Sequence, residues 1–198
     1  MADYRAVAAV SEAVTELLRG HYRPEDFDNE LEFRVYGARD FAQPMAAGVS
    51  VFLYRIFPNG LKRIQPIRPL PADSQQRSQL PLDLHFLLTA WAGDASLQHT
   101  IAGWMMRTVE DLPTLPTGLL NHRHPGLFRA DESVTLLPAE LSTEELFRIW
   151  EVIVNHAYQV SVPYVARGVK IDSPLPLSAT GEPVRERVLE MGTKEAAP

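Results

Sequence analysis

The sequence predicts an α+β domain, a mostly antiparallel or mixed β-sheet with about three packed helices. Three observations carry this. Apolar residues recur at helical spacing in three separate stretches, alternate at strand spacing in several others, and the two patterns follow the order helix, strands, helix, short strand, helix, strand.

The first helix is read from Tyr4 to Arg19, where Val7, Val10, Val14, Leu17 and Leu18 share one face; Asp3 is placed to cap its start and Gly20 to end it. Pro24 and the acidic Glu25-Asp26 then form a loop. Leu31, Phe33 and Val35 alternate with polar partners, which predicts a strand with one wet face. Val49 to Ile56 is β-branched or aromatic on both parities, as in an inner strand covered on both sides, and Pro58-Asn59-Gly60 stops it with a turn.

From Leu61 to Pro81 the chain reads as an exposed, partly extended loop. It is locally basic, carrying Lys62, Arg63, Arg68 and Arg77 among Pro66, Pro69 and Pro71. Leu82 to Trp91 is a long strand: Leu82, Leu84, Phe86, Leu88 and Ala90 lie on one parity, and Asp83, His85, Leu87, Thr89 and Trp91 on the other. Asp94 caps the second helix, whose stripe is Leu97, Ile101, Trp104, Met105, Thr108 and Leu112, and Pro113 ends it. Pro113 to Asp131 reads as irregular.

After a short strand near Val134 to Leu137, Ser142-Thr143-Glu144-Glu145 has the form of a capping box, and a third helix follows with Leu146, Ile149, Trp150, Ile153 and Val154 as its buried stripe. Tyr158, Val160, Val162 and Tyr164 alternate into a last strand running through Val169 and Ile171, with Pro163 predicting an edge or a bulge. The expected division is a domain over residues 1–172 and a partly flexible C-terminal extension over 173–198.

Composition sets limits on function. A chain of 198 residues that is 45% hydrophobic can bury a core without disulfides or a structural metal, and with no cysteine it has no thiol nucleophile and no thiolate metal site. A net charge of −6 argues against a general affinity for nucleic acid or anionic membranes. No apolar run approaches the roughly 20 residues of a membrane span, and the N-terminus lacks the pattern of a secretory signal, so the expected location is the cytoplasm.

The search for chemistry is sparse. His122 and His124 would share one side of an extended segment and can begin a metal site, but no histidine or carboxylate stands at i, i+4 to complete a chelate, so a solvated loop is the ordinary reading. A small metal-dependent enzyme built on this pair, with Asp83 or His85 folded close, is the alternative from another class. Asp83 and His85 share a strand face, where a surface or inter-subunit ion pair is the simpler role; His99 and His156 read as packing or capping residues on helices. Gly48-Val49-Ser50-Val51-Phe52 fails the nucleophile-elbow pattern at its last position, and no phosphate-binding loop, His-Glu-x-x-His or dinucleotide fingerprint occurs.

Arg55, Asn59 and Arg63 are placed to converge beside the basic loop. A partner-binding edge of Arg55, Asn59, Lys62, Arg63, Arg68 and Arg77 is one reading, and turn chemistry with solvated arginines is the other. Trp91, Trp104 and Trp150 fall on core faces and read as packing anchors.

Several segments, taken in order, resemble the cap or tube terminator proteins of extracellular contractile injection systems, phage-tail-like particles that drive a rigid tube through a contracting sheath. They are Ala8-Ala9-Val10-Ser11, Phe52-Leu53-Tyr54-Arg55-Ile56 with Pro58-Asn59 and Arg63, Leu82 through Ala90, Leu141 through Trp150, and Tyr158 through Tyr164. The resemblance implies a tail-terminator-like fold. It also implies a structural role: six copies forming a ring on the last layer of the inner tube, stopping its growth and tying it to the sheath, with no catalysis, no cofactor and no metal. The implied partners are the tube protein, the sheath protein and further copies of this chain, in particles assembled in the cytoplasm and then released. The terminator of a conventional phage tail is an alternative of the same fold. Ile64 stands where relatives often have Asn after the arginine, and the C-terminal tail is shorter than in many of them.

Overall fold

A computed structural model describes residues 2–27, 30–60, 79–153 and 158–173. Six strands form one mixed sheet: β1 (Glu32–Tyr36), β2 (Gly48–Pro58), β3 (Leu80–Trp91), β4 (Thr114–Leu115), β5 (Val134–Pro138) and β6 (Ser161–Ile171), in the order β1-β2-β3-β6-β5-β4. Only β1 and β2 run parallel; the other pairs are antiparallel. The helices are α1 (Ala6–His21), α2 (Ala95–Asp111), the single turn α3 (Thr117–Leu120) and α4 (Thr143–Ile153). The α+β architecture is the one the sequence predicts.

The central strand explains the layering. On β3, Leu82, Leu84, Phe86, Leu88 and Ala90 point into the main core, beneath Val10, Val14 and Leu18 of α1 and Ile101 and Met105 of α2. The opposite parity puts Leu87 and Trp91 into a second core, where Tyr36, Phe41, Met45 and Trp150 of α4 pack on them. Both faces of β3 are therefore covered by helix or crossover. Burial of this kind contributes about 25 cal/mol for each Å² of apolar surface removed from water.

Hydrogen bonds pair several of the buried polar groups in these cores. The Trp91 indole donates to Ser50 Oγ at 2.8 Å, and the Thr89 and Ser161 hydroxyls are 2.9 Å apart across β3 and β6. The Trp150 indole N–H has no hydrogen-bond partner, though its ring stands edge-on to Phe41, with centroids 5.8 Å apart.

Several sequence expectations need correction. Asp3 does not cap α1: it accepts from the backbone and guanidinium of Arg5 ahead of the helix, and Arg5 at the cap position provides no side-chain bond. The helix also runs through Gly20. It ends at His21 because Tyr22 and Arg23 are extended, as Pro24 requires of the residue before it. Along β1 and the residue before it, Leu31 and Phe33 are buried and Glu32 and Arg34 exposed as the alternation predicts, but at the strand end the sides exchange: Val35 is 41% exposed and Tyr36 is buried. A groove of about 420 Å³ between α1 and this edge strand leaves Val35 open, while the 37–47 crossover covers Tyr36 and lets the Met45 amide donate to its hydroxyl at 2.8 Å.

The inner-strand reading of β2 holds for its first half only. Partners on β1 end at Tyr36, opposite Phe52, and Arg55 through Pro58 are exposed. The loop read to Pro81 is shorter at its far end, since β3 begins at Leu80 and Pro81 lies within it. Pro113 to Asp131 is not wholly irregular, for it contains β4 and α3. Leu112, placed in the stripe of α2, lies past its end and is partly exposed.

Pro163 marks neither an edge nor a bulge. It sits in the inner strand β6, opposite Leu87, where β5 has already ended; its carbonyl accepts from Ala139, and its missing N–H faces that same side, so no ladder bond to β3 is lost. The bulge of β6 lies further on, between the partners of Leu82 and Leu84, beside Gly168 with φ +95°. Of the stripe expected on α4, Trp150 alone is buried, Leu146, Ile149 and Ile153 are partly covered, and Val154 lies outside the described residues.

Candidate assembly interface

The second half of β2 carries the first part of the site. A register shift between Leu53 and Arg55 makes Arg55 the partner of His85 and Phe57 the partner of Asp83, so these four share the sheet face that α4 covers further back. The Arg55 guanidinium lies over the Phe57 ring, 5.1 Å from its centroid, and Phe57 remains 47% exposed. Asn59 Nδ2 donates to Asp83 Oδ2 at 3.0 Å, and the Asn59 amide donates to the Pro81 carbonyl. Arg55 and Asn59 thus have different partners. Lys62, Arg63, Arg68 and Arg77 lie outside the described residues.

Asp83 is only 8% exposed. Arg167 Nε stands 4.0 Å from its Oδ2, and its Oδ1 has no hydrogen-bond donor. His85 does not pair with it as the strand parity suggested; the imidazole meets the Tyr54 ring at 6.0 Å instead. Burial pushes the His85 pKa below its ordinary value. The Arg55 and Arg167 charges push the same way, and Asp83 opposes them without prevailing. The result is a neutral histidine between two arginines.

Helix α4 carries the second part. Its start is the predicted capping box: Ser142 Oγ accepts from the Glu145 amide at 3.2 Å, and Glu145 Oε2 accepts from the Ser142 amide at 2.9 Å. The backbone and hydroxyl of Ser142 hold the Glu145 carboxyl below its usual range. Away from the core, Val152 is 87% exposed and Phe147 is 47% exposed, with the Phe147 ring edge-on to Tyr158. Sequence reasoning missed these residues and Phe57. For Val152 a signal was present, since it falls off the 146, 149, 150, 153 stripe.

The histidine pair does not sit on an extended segment. His122 and His124 lie in the turn after α3, and His124 Nε2 is 3.4 Å from Glu12 Oε2 on α1. His85 is on the other face of the sheet, so the sheet separates the groups that the metal-enzyme alternative would join. Among the described residues no three histidine or carboxylate side chains are arranged to hold a metal. His99 is exposed on α2 and neither packs nor caps, and His156 lies outside the described residues. Trp91 and Trp150 are core anchors as expected, and Trp104 packs partly covered among Tyr22, Phe27 and Phe33. No helix among the described residues is long and apolar enough to cross a membrane.

Comparison with known proteins matches residues 9–186 to the Pvc16 N-terminal domain. No curated protein matches. Among solved structures, the fold is similar to the PVC sheath/tube terminator of an extracellular contractile injection system in its extended state, with TM-score 0.59 and 15% identity over 93% of this chain. It is also similar to the tube-terminating cap of the anti-feeding prophage, with TM-score 0.56 and 18% identity over 91% of this chain. The chain spans 65% and 59% of those two proteins.

Proposed function

Since the chain belongs to the Pvc16 N-terminal domain family, we propose that it caps the inner tube of a contractile injection system and couples the tube end to the sheath, as a ring of six copies. The observation that carries this is the family match over residues 9–186, joined by the fold likeness to two tube terminators. In this reading the role is structural, without catalysis or cofactor. The partners are the tube protein, the sheath protein and neighbouring copies, and assembly takes place in the cytoplasm before release of the particle.

Termination needs asymmetry between the two faces of the ring. One face matches the receptive end of the tube, and the other offers nothing on which a further layer can grow. A ring closes by heterologous contacts, so each copy presents two different complementary patches. Arg55 and Asn59, with Lys62, Arg63, Arg68 and Arg77, are the proposed partner-contact residues. The domain is taken to run through residue 172, which is supported by Asp172 accepting from Gln79 at 2.7 Å and donating its amide to the Ala2 carbonyl at 2.8 Å. Residues 173–198 are then an extension available to tube or sheath.

The test is location. Particles carrying this chain with a small peptide tag, decorated with gold-labelled antibody and viewed by electron microscopy, are expected to bear label at one end only. Label spread along the sheath, or none on intact particles, would contradict the proposal.

A further inference from the structure

We propose that the groove between α1 and β1 takes an extended peptide segment of another protein, which joins the sheet as a further strand beside β1 and carries an apolar residue flanked by carboxylates. This surface is separate from Arg55 and Asn59, so it stands or falls apart from the contacts assigned to them above.

The backbone decides what fits. β1 pairs with β2 in parallel register, and the Glu32 amide donates to the Ala47 carbonyl at 3.0 Å. In a parallel ladder one residue turns both its N–H and its C=O to the same neighbour and the next turns them away, so Glu32, Arg34 and Tyr36 face β2, and Leu31, Phe33 and Val35 face the open edge. Side chains at the end of α1 serve the first two. The Leu31 N–H donates to the Tyr22 hydroxyl at 3.2 Å, and the Phe33 carbonyl accepts from the Arg19 guanidinium at 2.6 Å. These groups stand in for a neighbouring strand and blunt the edge, as sheet edges ordinarily are blunted. The stand-in stops before Val35. Among the described residues nothing on that side takes the Val35 N–H, the Val35 C=O or the Phe33 N–H.

Val35 is also where the groove of about 420 Å³ opens. Its wall is one face of α1, formed by Ala8, Ser11, Glu12 and Thr15 at spacings of three and four. The Ser11 hydroxyl donates to the Val7 carbonyl and the Thr15 hydroxyl to the Glu12 carbonyl, so both are spent on the helix itself and leave a wall of small side chains. In an added strand the residue opposite Val35 points to the same side of the sheet as Val35, against this wall, and is therefore apolar and of modest size.

The charges at the mouth select the flanking residues. Arg19 and Arg123 both reach Glu16 Oε1, so one carboxylate serves two guanidiniums. Arg34 comes no nearer than 3.9 Å to Glu32, with both side chains half-exposed. The one acid in the wall, Glu12, is turned to His124 Nε2, 3.4 Å away. Guanidinium is thus in excess at the mouth, and a segment with acidic side chains on either side of its apolar residue meets it. Main-chain bonds to β1 then supply affinity and the pocket for the apolar side chain supplies selection, the pattern of strand addition at a sheet edge.

The test uses the full chain, isotope-labelled for amide NMR, and a short acetylated and amidated probe peptide, Thr-Glu-Thr-Val-Thr-Glu-Thr. The probe is expected to shift the amides of Phe33, Val35, Ala8, Ser11 and Thr15 saturably and to slow hydrogen exchange at Val35. Lysine in place of both glutamates is expected to weaken binding at least about tenfold, the factor one hydrogen bond to a charged group contributes. Val35→Pro removes an outward N–H without breaking a bond to β2, and Ala8→Trp fills the groove from the helix side and leaves β1 untouched; each is expected to abolish the shifts. No shift at Val35, shifts centred away from the groove, equal binding of the lysine peptide, or undiminished binding by Ala8→Trp would overturn the proposal. Protection of the Val35 amide without the probe would also overturn it: protection that grows with protein concentration assigns the groove to a second copy, and protection that does not assigns it to a segment of the same chain.

Discussion

His85 shows how one residue's surroundings set its chemistry. Burial and the charges of Arg55 and Arg167 outweigh Asp83, so the folded protein binds the imidazole proton less readily than the unfolded chain, whose histidine titrates near 6.5. A base with a depressed folded pKa contributes its stability at neutral pH, and that contribution falls away as the pH drops below 6.5 towards the folded value. Thermal unfolding from pH 7.5 to pH 5.5 is expected to show a falling midpoint, with a smaller drop in His85→Gln. Equal drops in both would remove His85 as the cause. The lowered pKa of Glu16 acts only below about 4.5: burial opposes it, and hydrogen bonds from Arg19 and Arg123 more than compensate, so it lies outside this window.

At the scale of elements, the parallel pairing of β1 with β2 depends on one backbone position. Gly48 has φ +142°, and a Cβ there would lie 1.9 Å from the Glu32 carbonyl oxygen. Gly48→Ala is expected to cost roughly 3 kcal/mol in chemical denaturation, from strain and displacement of β1. Gly103, exposed within α2 with nothing near its Cβ position, is the control, and Gly103→Ala should be stabilising by about 1 kcal/mol. Equal effects at the two sites would sink the argument.

Elements whose signal is local were legible in the sequence. The alternation of β3 placed both of its faces correctly, and the caps at Asp94 and Ser142 formed as read, with the Leu97 amide donating to Asp94 Oδ1 at 3.0 Å. Features fixed by neighbours distant in sequence were not legible. The exposure of Val35 and of Arg55 through Pro58 depends on where β1 and α1 stop, and no periodicity within β2 records the length of its partner. For the same reason Arg55 was found as a candidate while Phe57, which stacks beneath it, was not. The exposed face of α4 was half legible, since Val152 breaks the helix's own stripe but reads as significant only once the burial of its neighbours is known.

At the scale of the whole molecule, two cores lie on either side of one sheet, and Phe147 and Val152 on α4 and Phe57 at the end of β2 are among the apolar side chains left exposed. In the proposed ring, repetition multiplies a modest contact, so no single residue need dominate assembly. If this chain stops tube growth as proposed, the length distribution of tubes depends on it. Electron microscopy of tubes assembled with and without the chain is expected to show a narrow distribution in its presence and a broad one, with tubes extending past the sheath, in its absence, restored when the chain is resupplied. Tubes of the same narrow length in both preparations would contradict the account.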